Sequence, residues 1–190
     1  MNTDWNKLAK KWSGKIYQKR NDRVKERMAF IKRNVHLFKD KTVLDVGCNA
    51  GLFALPTLTV CKKYIGIEKE DKYFKQLKIT HKQVNDSKME IRNCRFDDLY
   101  APKKDHPEFG GVILSRVLYY LSDADVAYLK NEILSKASAV LVVCGSKAKG
   151  WRRNKNDFWK LNAVIKLLEG YKTKVRWSGD KKLFMVVGEK

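Results

Sequence analysis

The hydrophobic and polar positions of the chain follow two different periods. Trp5, Leu8, Trp12 and Ile16 recur at helical spacing with lysines between them, which predicts an amphipathic helix over residues 4–20. Asn21 or Asp22 is placed to cap a second helix, whose apolar face would use Val24, Met28, Ile31 and Val35. From residue 42 the period shortens. TVLDV (42–46), YIGIE (64–68), MEIRN (89–93), VILS (112–115) and SAVLVVC (138–144) read as strands, the last the most apolar and the third weakened by its polar residues. Helices are expected over 52–61, over 70–83, and from a cap at Ser122 or Asp123 to about Lys136. Pro56 must sit in the first turn of its helix or bend it. A turn-rich loop spans 101–111, and another amphipathic helix runs from Asp157 to Leu168 and stops at Gly170. KTKVRWS (172–178) and KLFMVVG (182–188) close the chain as a hairpin.

Strands alternating with helices imply an α/β fold, with a mostly parallel sheet covered on both faces and an antiparallel hairpin at its end. The 190 residues suit a single domain with one sizeable core. Basic N-terminal helices (1–40) precede the core (41–190), with the boundary near Lys41. No apolar run approaches the roughly 18 residues of a membrane span. The N-terminus has no apolar signal region, so an intracellular, cytoplasmic protein is expected. Cys48, Cys61, Cys94 and Cys144 form no C-x-x-C pair, which predicts reduced core thiols and no metal.

An open parallel sheet binds ligands beyond the carboxyl ends of its strands. After the first strand stands Asp45-Val46-Gly47-Cys48-Asn49-Ala50-Gly51. Gly47 permits a tight turn and close backbone approach to a ligand, and Gly51 lets the next helix start close to the strand. A helix N-terminus there suits a carboxylate. Glu68, 21 positions after Gly47, is placed to accept from a ribose diol. Asn49 stands where G-x-G-x-x-G requires glycine, so the dinucleotide fingerprint fails.

D-x-G-C-N-x-G followed by G-I-E resembles motifs I and II of the class I S-adenosylmethionine-dependent methyltransferases, over roughly residues 41–145. The resemblance implies a Rossmann-like, seven-stranded, mostly parallel sheet with an antiparallel C-terminal hairpin and helices on both faces. It also implies S-adenosylmethionine as cofactor. Asp45, Gly47, Asn49 and Gly51 would then surround its amino-acid part, and Glu68 would hold its ribose. Phe96 and Asp97, within the segment 94–98, would reach the adenine, with Asp97 preferred to Asp98. Ser115, Arg116 and Tyr119 are the catalytic candidates, with Ser115 also beside the cofactor. One of the neighbouring Tyr119 and Tyr120 is expected in the core and the other at the acceptor pocket. His36, His81 and His106 show no partner spacing and are expected to be structural or exposed.

Methyl transfer leaves few acceptor signatures, because the cofactor supplies the electrophile and the protein orients the acceptor. The chain lacks [DNS]-P-P-[YFW] after the fourth strand, a Pro-Cys nucleophile, and an aspartate near Ser115. Those absences argue against base N-methylation, cytosine C5 methylation and ribose 2′-O methylation by the usual residue sets. Charge points elsewhere. The net charge is +20, concentrated in residues 1–40 (12 basic, 4 acidic) and 145–182 (12 basic, 3 acidic). Such a field favours a polyanion. Trp151, Arg152 and Arg153 are placed to stack on bases and pair with phosphates. Lys15, Tyr17, Arg20 and Arg23 of the N-terminal helices would line the same cleft. The expected partner is nucleic acid, RNA rather than DNA. The alternatives are a small-molecule or anionic-glycan methyltransferase and a non-catalytic module retaining the fold.

Overall fold

The computed structural model describes residues 21–99, 107–145 and 161–190, with the side chains of 21–23 outside that description. Seven strands form one sheet: β1 Thr42–Val46, β2 Lys63–Ile67, β3 Met89–Arg92, β4 Gly111–Ser115, β5 Ala139–Gly145, β6 Lys172–Trp177 and β7 Leu183–Glu189. Their spatial order is β3-β2-β1-β4-β5-β7-β6. The first five run parallel, and β7 is antiparallel to both β5 and β6. The expected seven-stranded sheet with its antiparallel hairpin is therefore present. The continuous apolar run of β5 follows from burial on both faces.

Alternate strand residues feed two cores. On one face Val43, Tyr64, Ile113, Leu141 and Met185 pack with Phe30 and Ile31 of α1 (Asn21–Asn34). Leu55 and Leu58 of α2 (Ala54–Leu58) and Leu77 and Val84 of α3 (Asp71–Val84) complete that layer. On the other face Leu44, Ile65, Val112, Val140 and Phe184 meet Leu129 and Ile133 of the helical turns Leu129–Leu134 and Val164 and Leu167 of α5 (Leu161–Leu167). A further 3-10 turn, Val35–Phe38, seats Phe38 beside Gly111, where a Cβ would lie 2.6 Å from its ring.

Local chemistry sets the boundaries. Ser122 caps α4 (Asp123–Tyr128): its hydroxyl accepts the Asp125 N–H while the Asp125 carboxylate accepts the Ser122 N–H. The helix then widens into π-helical turns, Leu129–Leu134. That widening was not visible in the 3.6-residue period; it lets Leu129, Ile133 and Leu134 all reach the core. The helix expected over 52–61 shrinks to Ala54–Leu58, with Pro56 in its first turn. At its end the N–H groups of Val60 and Cys61 both return to the Thr57 carbonyl and wind the chain down toward β2. All four cysteines are free, but Cys94 is only half-buried and so not a core thiol. The helix expected over 4–20, the first part of the 101–111 loop and residues 157–160 lie outside the described residues.

Candidate functional site

The strand order reverses between β1 and β4, so a crevice opens beyond their carboxyl ends. The chain leaves β1 through a turn with three left-handed residues at alternate positions: Gly47 (φ 65°), Asn49 (φ 55°) and Gly51 (φ 79°). Glycine adopts this region freely and asparagine tolerates it. A Cβ on Gly47 would lie 3.0 Å from Val117 Cγ2, so the turn abuts the segment that leaves β4. Gly51 faces the core instead, where a Cβ would meet Leu77 Cδ1 at 2.8 Å. Thr80 of α3 donates to the Ala50 carbonyl at 2.8 Å and anchors the turn from below.

Glu68 stands just beyond β2 and is 4% exposed. One carboxylate oxygen accepts the Asn49 N–H and the other the Glu70 N–H, each at 2.9 Å. The glycine turn and the acid one strand over thus share one cleft. Each oxygen keeps a lone pair for a further hydrogen bond. Asn93 donates to the Glu68 carbonyl at 2.9 Å and fixes the strand end.

Asp45, fully buried in β1, accepts the Tyr64 hydroxyl at 2.6 Å through Oδ2, while Oδ1 is buried without a partner. Burial pushes its carboxyl up to about 7; the Tyr64 hydrogen bond opposes the rise and the Glu68 charge adds to it. Burial also holds the Tyr64 phenol and the Cys48 thiol well above their ordinary values. Cys48 is therefore a neutral, inert thiol.

At the end of β4 the Ser115 hydroxyl is buried, with no partner among the described residues. Arg116 follows with φ 60°, a strained conformation for a long side chain, held by its N–H to the Val143 carbonyl at 2.7 Å. Leu118, not a tyrosine, takes the core position of the next turn. Tyr119 is half-buried and Tyr120 is 52% exposed, so the expectation of one core tyrosine is corrected. A 3-10 turn, Leu118–Tyr120, sets the two rings side by side, their centroids 4.6 Å apart, with Tyr120 toward solvent. Burial raises the Tyr119 phenol, and its hydrogen-bonded neighbour Arg116 opposes that rise. The structure thus brings Ser115, Arg116 and Tyr119 to one sheet edge.

After β3 the Phe96 ring is buried against Tyr128, edge to face at 6.1 Å. Asp98 accepts the Arg95 N–H at 2.7 Å, and Asp97 holds the Arg95 guanidinium at 3.0 Å on the surface. His36 is exposed, and His81 Nε2 meets the Met89 carbonyl at 3.0 Å. Among the described residues no group of three or more His, Cys, Asp or Glu gathers as for a metal, and no helix is long and apolar enough to cross a membrane. Lys15, Tyr17, Arg20, His106, Trp151, Arg152 and Arg153 lie outside the described residues, as does the side chain of Arg23.

Sequence reasoning missed three contributors: Tyr64, Gly66 and Val117. Gly66, at the middle of β2, carried the signal of close approach that an interior strand glycine gives. A Cβ there would lie 2.8 Å from Cys48 Sγ and 3.0 Å from the Tyr64 ring. Helix α1 also reaches this edge. Glu26 accepts the Gly179 N–H of the β6–β7 turn at 3.0 Å, and the Arg27 guanidinium lies 5.9 Å from the Phe53 ring.

No protein-family model matches the chain. It is 26% identical over 145 residues to protein arginine N-methyltransferase 1 of Chlamydomonas reinhardtii, a match covering 72% of this chain and 42% of that protein. The chain therefore spans about two fifths of the length of that relative. Among solved structures it resembles the N-methyltransferase NodS of Bradyrhizobium japonicum (TM-score 0.67, 14% identity, 90% of this chain and 98% of that one). It also resembles the methyltransferase domain of a bacterial Hen1 (TM-score 0.64, 14% identity, 89% and 98%). The S-adenosylmethionine-bound magnesium protoporphyrin IX methyltransferase of Synechocystis is similar too (TM-score 0.66, 13% identity, 100% and 92%). Strand order, glycine turn and these likenesses agree: the chain is built on the class I S-adenosylmethionine-dependent methyltransferase fold.

Proposed function

We propose that the chain is an S-adenosylmethionine-dependent methyltransferase whose acceptor is a polyanionic nucleic acid, RNA rather than DNA. The observation that carries the cofactor assignment is the 2.9 Å bond from the Asn49 N–H to Glu68, which joins the glycine turn to the ribose-binding acid. Asp45, Gly47 and Asn49 surround the amino-acid moiety, with Gly51 setting the turn from the core side. Glu68 holds the ribose diol, and Asp97 and the Phe96 segment border the adenine. When bound, the cofactor supplies an electrophilic methyl on its sulfonium. The protein's part is to orient the acceptor and exclude water. Ser115 offers a hydroxyl at the reacting edge, and Arg116 with Tyr119 orients an electron-rich or anionic acceptor there.

Charge on the described surface supports the acceptor class. Lys172, Lys174 and Arg176 alternate along the edge strand β6, all exposed. Lys174 pairs with Val187 and Arg176 with Met185, so both project on the face that α1 covers. Exposed Lys25, Lys32 and Arg33 of α1 extend this positive surface, and Lys181 and Lys182 carry it to the carboxyl edge. Trp177 is 44% exposed at the same end of β6. Trp177 pairs with Phe184 and packs on its ring, with 5.6 Å between centroids, so it projects from the opposite face of β6 and is not part of this positive surface.

The neighbours act on acceptors as different as arginine and magnesium protoporphyrin IX, so the fold does not choose among them. The Tyr119–Tyr120 pair beside Arg116, half-buried at Tyr119 and exposed at Tyr120, favours a second reading, a small planar anionic acceptor. Incubation with labelled cofactor and separate RNA, protein and small-molecule fractions decides between them. Label in RNA, falling steeply with salt, is the expected result. Label confined to protein or small molecules refutes the RNA assignment. Cofactor binding without label in any fraction identifies a non-catalytic module.

A further inference from the structure

Beneath the glycine turn lies a buried polar pair whose geometry does more than shape the loop. Asp45 is fully enclosed, with one oxygen on the Tyr64 hydroxyl at 2.6 Å and the other without a partner. The groups facing it are Tyr64 from β2, Cys48 from the turn and Glu68 beyond the end of β2. None of them is cationic. An ionised carboxylate in such a place is costly unless a cation arrives. Tyr64 and Cys48 are kept protonated by burial, so Asp45 is the member of the cluster that changes charge near neutrality.

We infer that Tyr64 is a positioning residue that acts through Asp45 to make cofactor binding proton-linked, the ionised Asp45, enclosed beneath the turn, balancing the charge of the cofactor's ammonium group. This rests on the reading of the turn as the S-adenosylmethionine site. Without cofactor, Asp45 holds a proton. When the ammonium is seated, the Asp45 O–H bond breaks, the proton passes to solvent, and the carboxylate keeps the electron pair. The Tyr64 O–H stays intact and donates to Oδ2, which stabilises the ionised form. Gly66 leaves the space in which Cys48 and the Tyr64 ring pack behind the pair.

Titration calorimetry in buffers of different ionisation enthalpy tests this with three probes: S-adenosylmethionine, S-adenosylhomocysteine and 5′-methylthioadenosine, which lacks the ammonium. For the first two, affinity should rise about tenfold per pH unit below about pH 7 and level off above it, with about half a proton released at pH 7. 5′-Methylthioadenosine should release none. Tyr64→Phe should move the midpoint up by about one pH unit or more, losing affinity at neutral pH and regaining it in alkali. Asp45→Asn should flatten the profile. A flat wild-type profile, or a Tyr64→Phe loss equal at every pH, overturns the proton linkage and leaves the cofactor assignment standing. Absence of S-adenosylmethionine binding at every pH overturns both.

Discussion

The two halves of the crevice are built on opposite plans. In the β1–β2 half the polar groups around the turn, Asp45 apart, are spent on the protein's own backbone. Both Glu68 oxygens accept main-chain N–H groups, Thr80 anchors Ala50, and three left-handed residues set the turn. In the β4 half the Ser115 hydroxyl has no partner among the described residues, Arg116 is strained, and Tyr120 is exposed beside a half-buried Tyr119. The first half is preorganised for one ligand. The second keeps its polar groups for whatever is brought to it. A cofactor is constant and rewards rigidity, whereas the acceptor varies across the fold, and the β4 edge is where that variation is written.

The largest expected effect breaks the rigid half. Gly47→Val forces a branched side chain into φ 65° and onto Val117, 3.0 Å from the new Cβ. Cofactor affinity should fall by about 100-fold or more, while the circular dichroism spectrum persists. Wild-type affinity in this variant would remove the turn from the site. Next comes pH. The Asp45 carboxyl is raised from 3.8 to about 7 in the folded chain, so the folded state holds a proton that the unfolded state has lost. Stability of the cofactor-free protein should therefore be fully present below about pH 4 as far as this group is concerned. It should then decline by up to about 4 kcal/mol as pH rises through 7. Denaturant titrations at successive pH values check this; the decline should vanish in Asp45→Asn.

Breaking the open half should look different. Arg116→Ala removes the guanidinium that meets Tyr119 and keeps a Cβ in the same left-handed backbone, so the fold should change little. The KM for the acceptor should rise about 10- to 100-fold while the cofactor Kd stays within about twofold. Equal losses in both constants would mean that the two halves are not separate.

The same contrast explains what the sequence made legible. Gly47, Asn49 and Gly51 were readable as a tight turn because a left-handed backbone leaves few residue choices at those positions, and Glu68 as the acid that follows the second strand. The strands were readable because β1, β2, β4 and β5 are buried on both faces and had to be apolar. Tyr64 was not readable. Its position looks like any inward strand residue, and only register places its hydroxyl on Asp45, 19 positions earlier. The π-helical turn at Leu129–Leu134 and the side-by-side setting of Tyr119 and Tyr120 depend on packing against elements distant in sequence. At the β4 edge the left-handed residue is Arg116 and not glycine, so the chain there carries little pattern.

The smallest expected effect tests whether the basic edge belongs to the open half. Neutralising Lys172, Lys174 and Arg176 to glutamine removes three exposed charges from β6 without touching the crevice. Each phosphate contact contributes about 0.7 to the slope of log affinity against log salt for a single strand. The triple variant should therefore bind RNA a few-fold more weakly at moderate salt, with a slope shallower by about two. Cofactor affinity and melting temperature should hold, because edge-strand lysines contribute little to folding stability. An unchanged slope would show that the edge lysines serve only to keep β6 from pairing with another sheet. The positive surface that meets the acceptor would then have to lie on other segments.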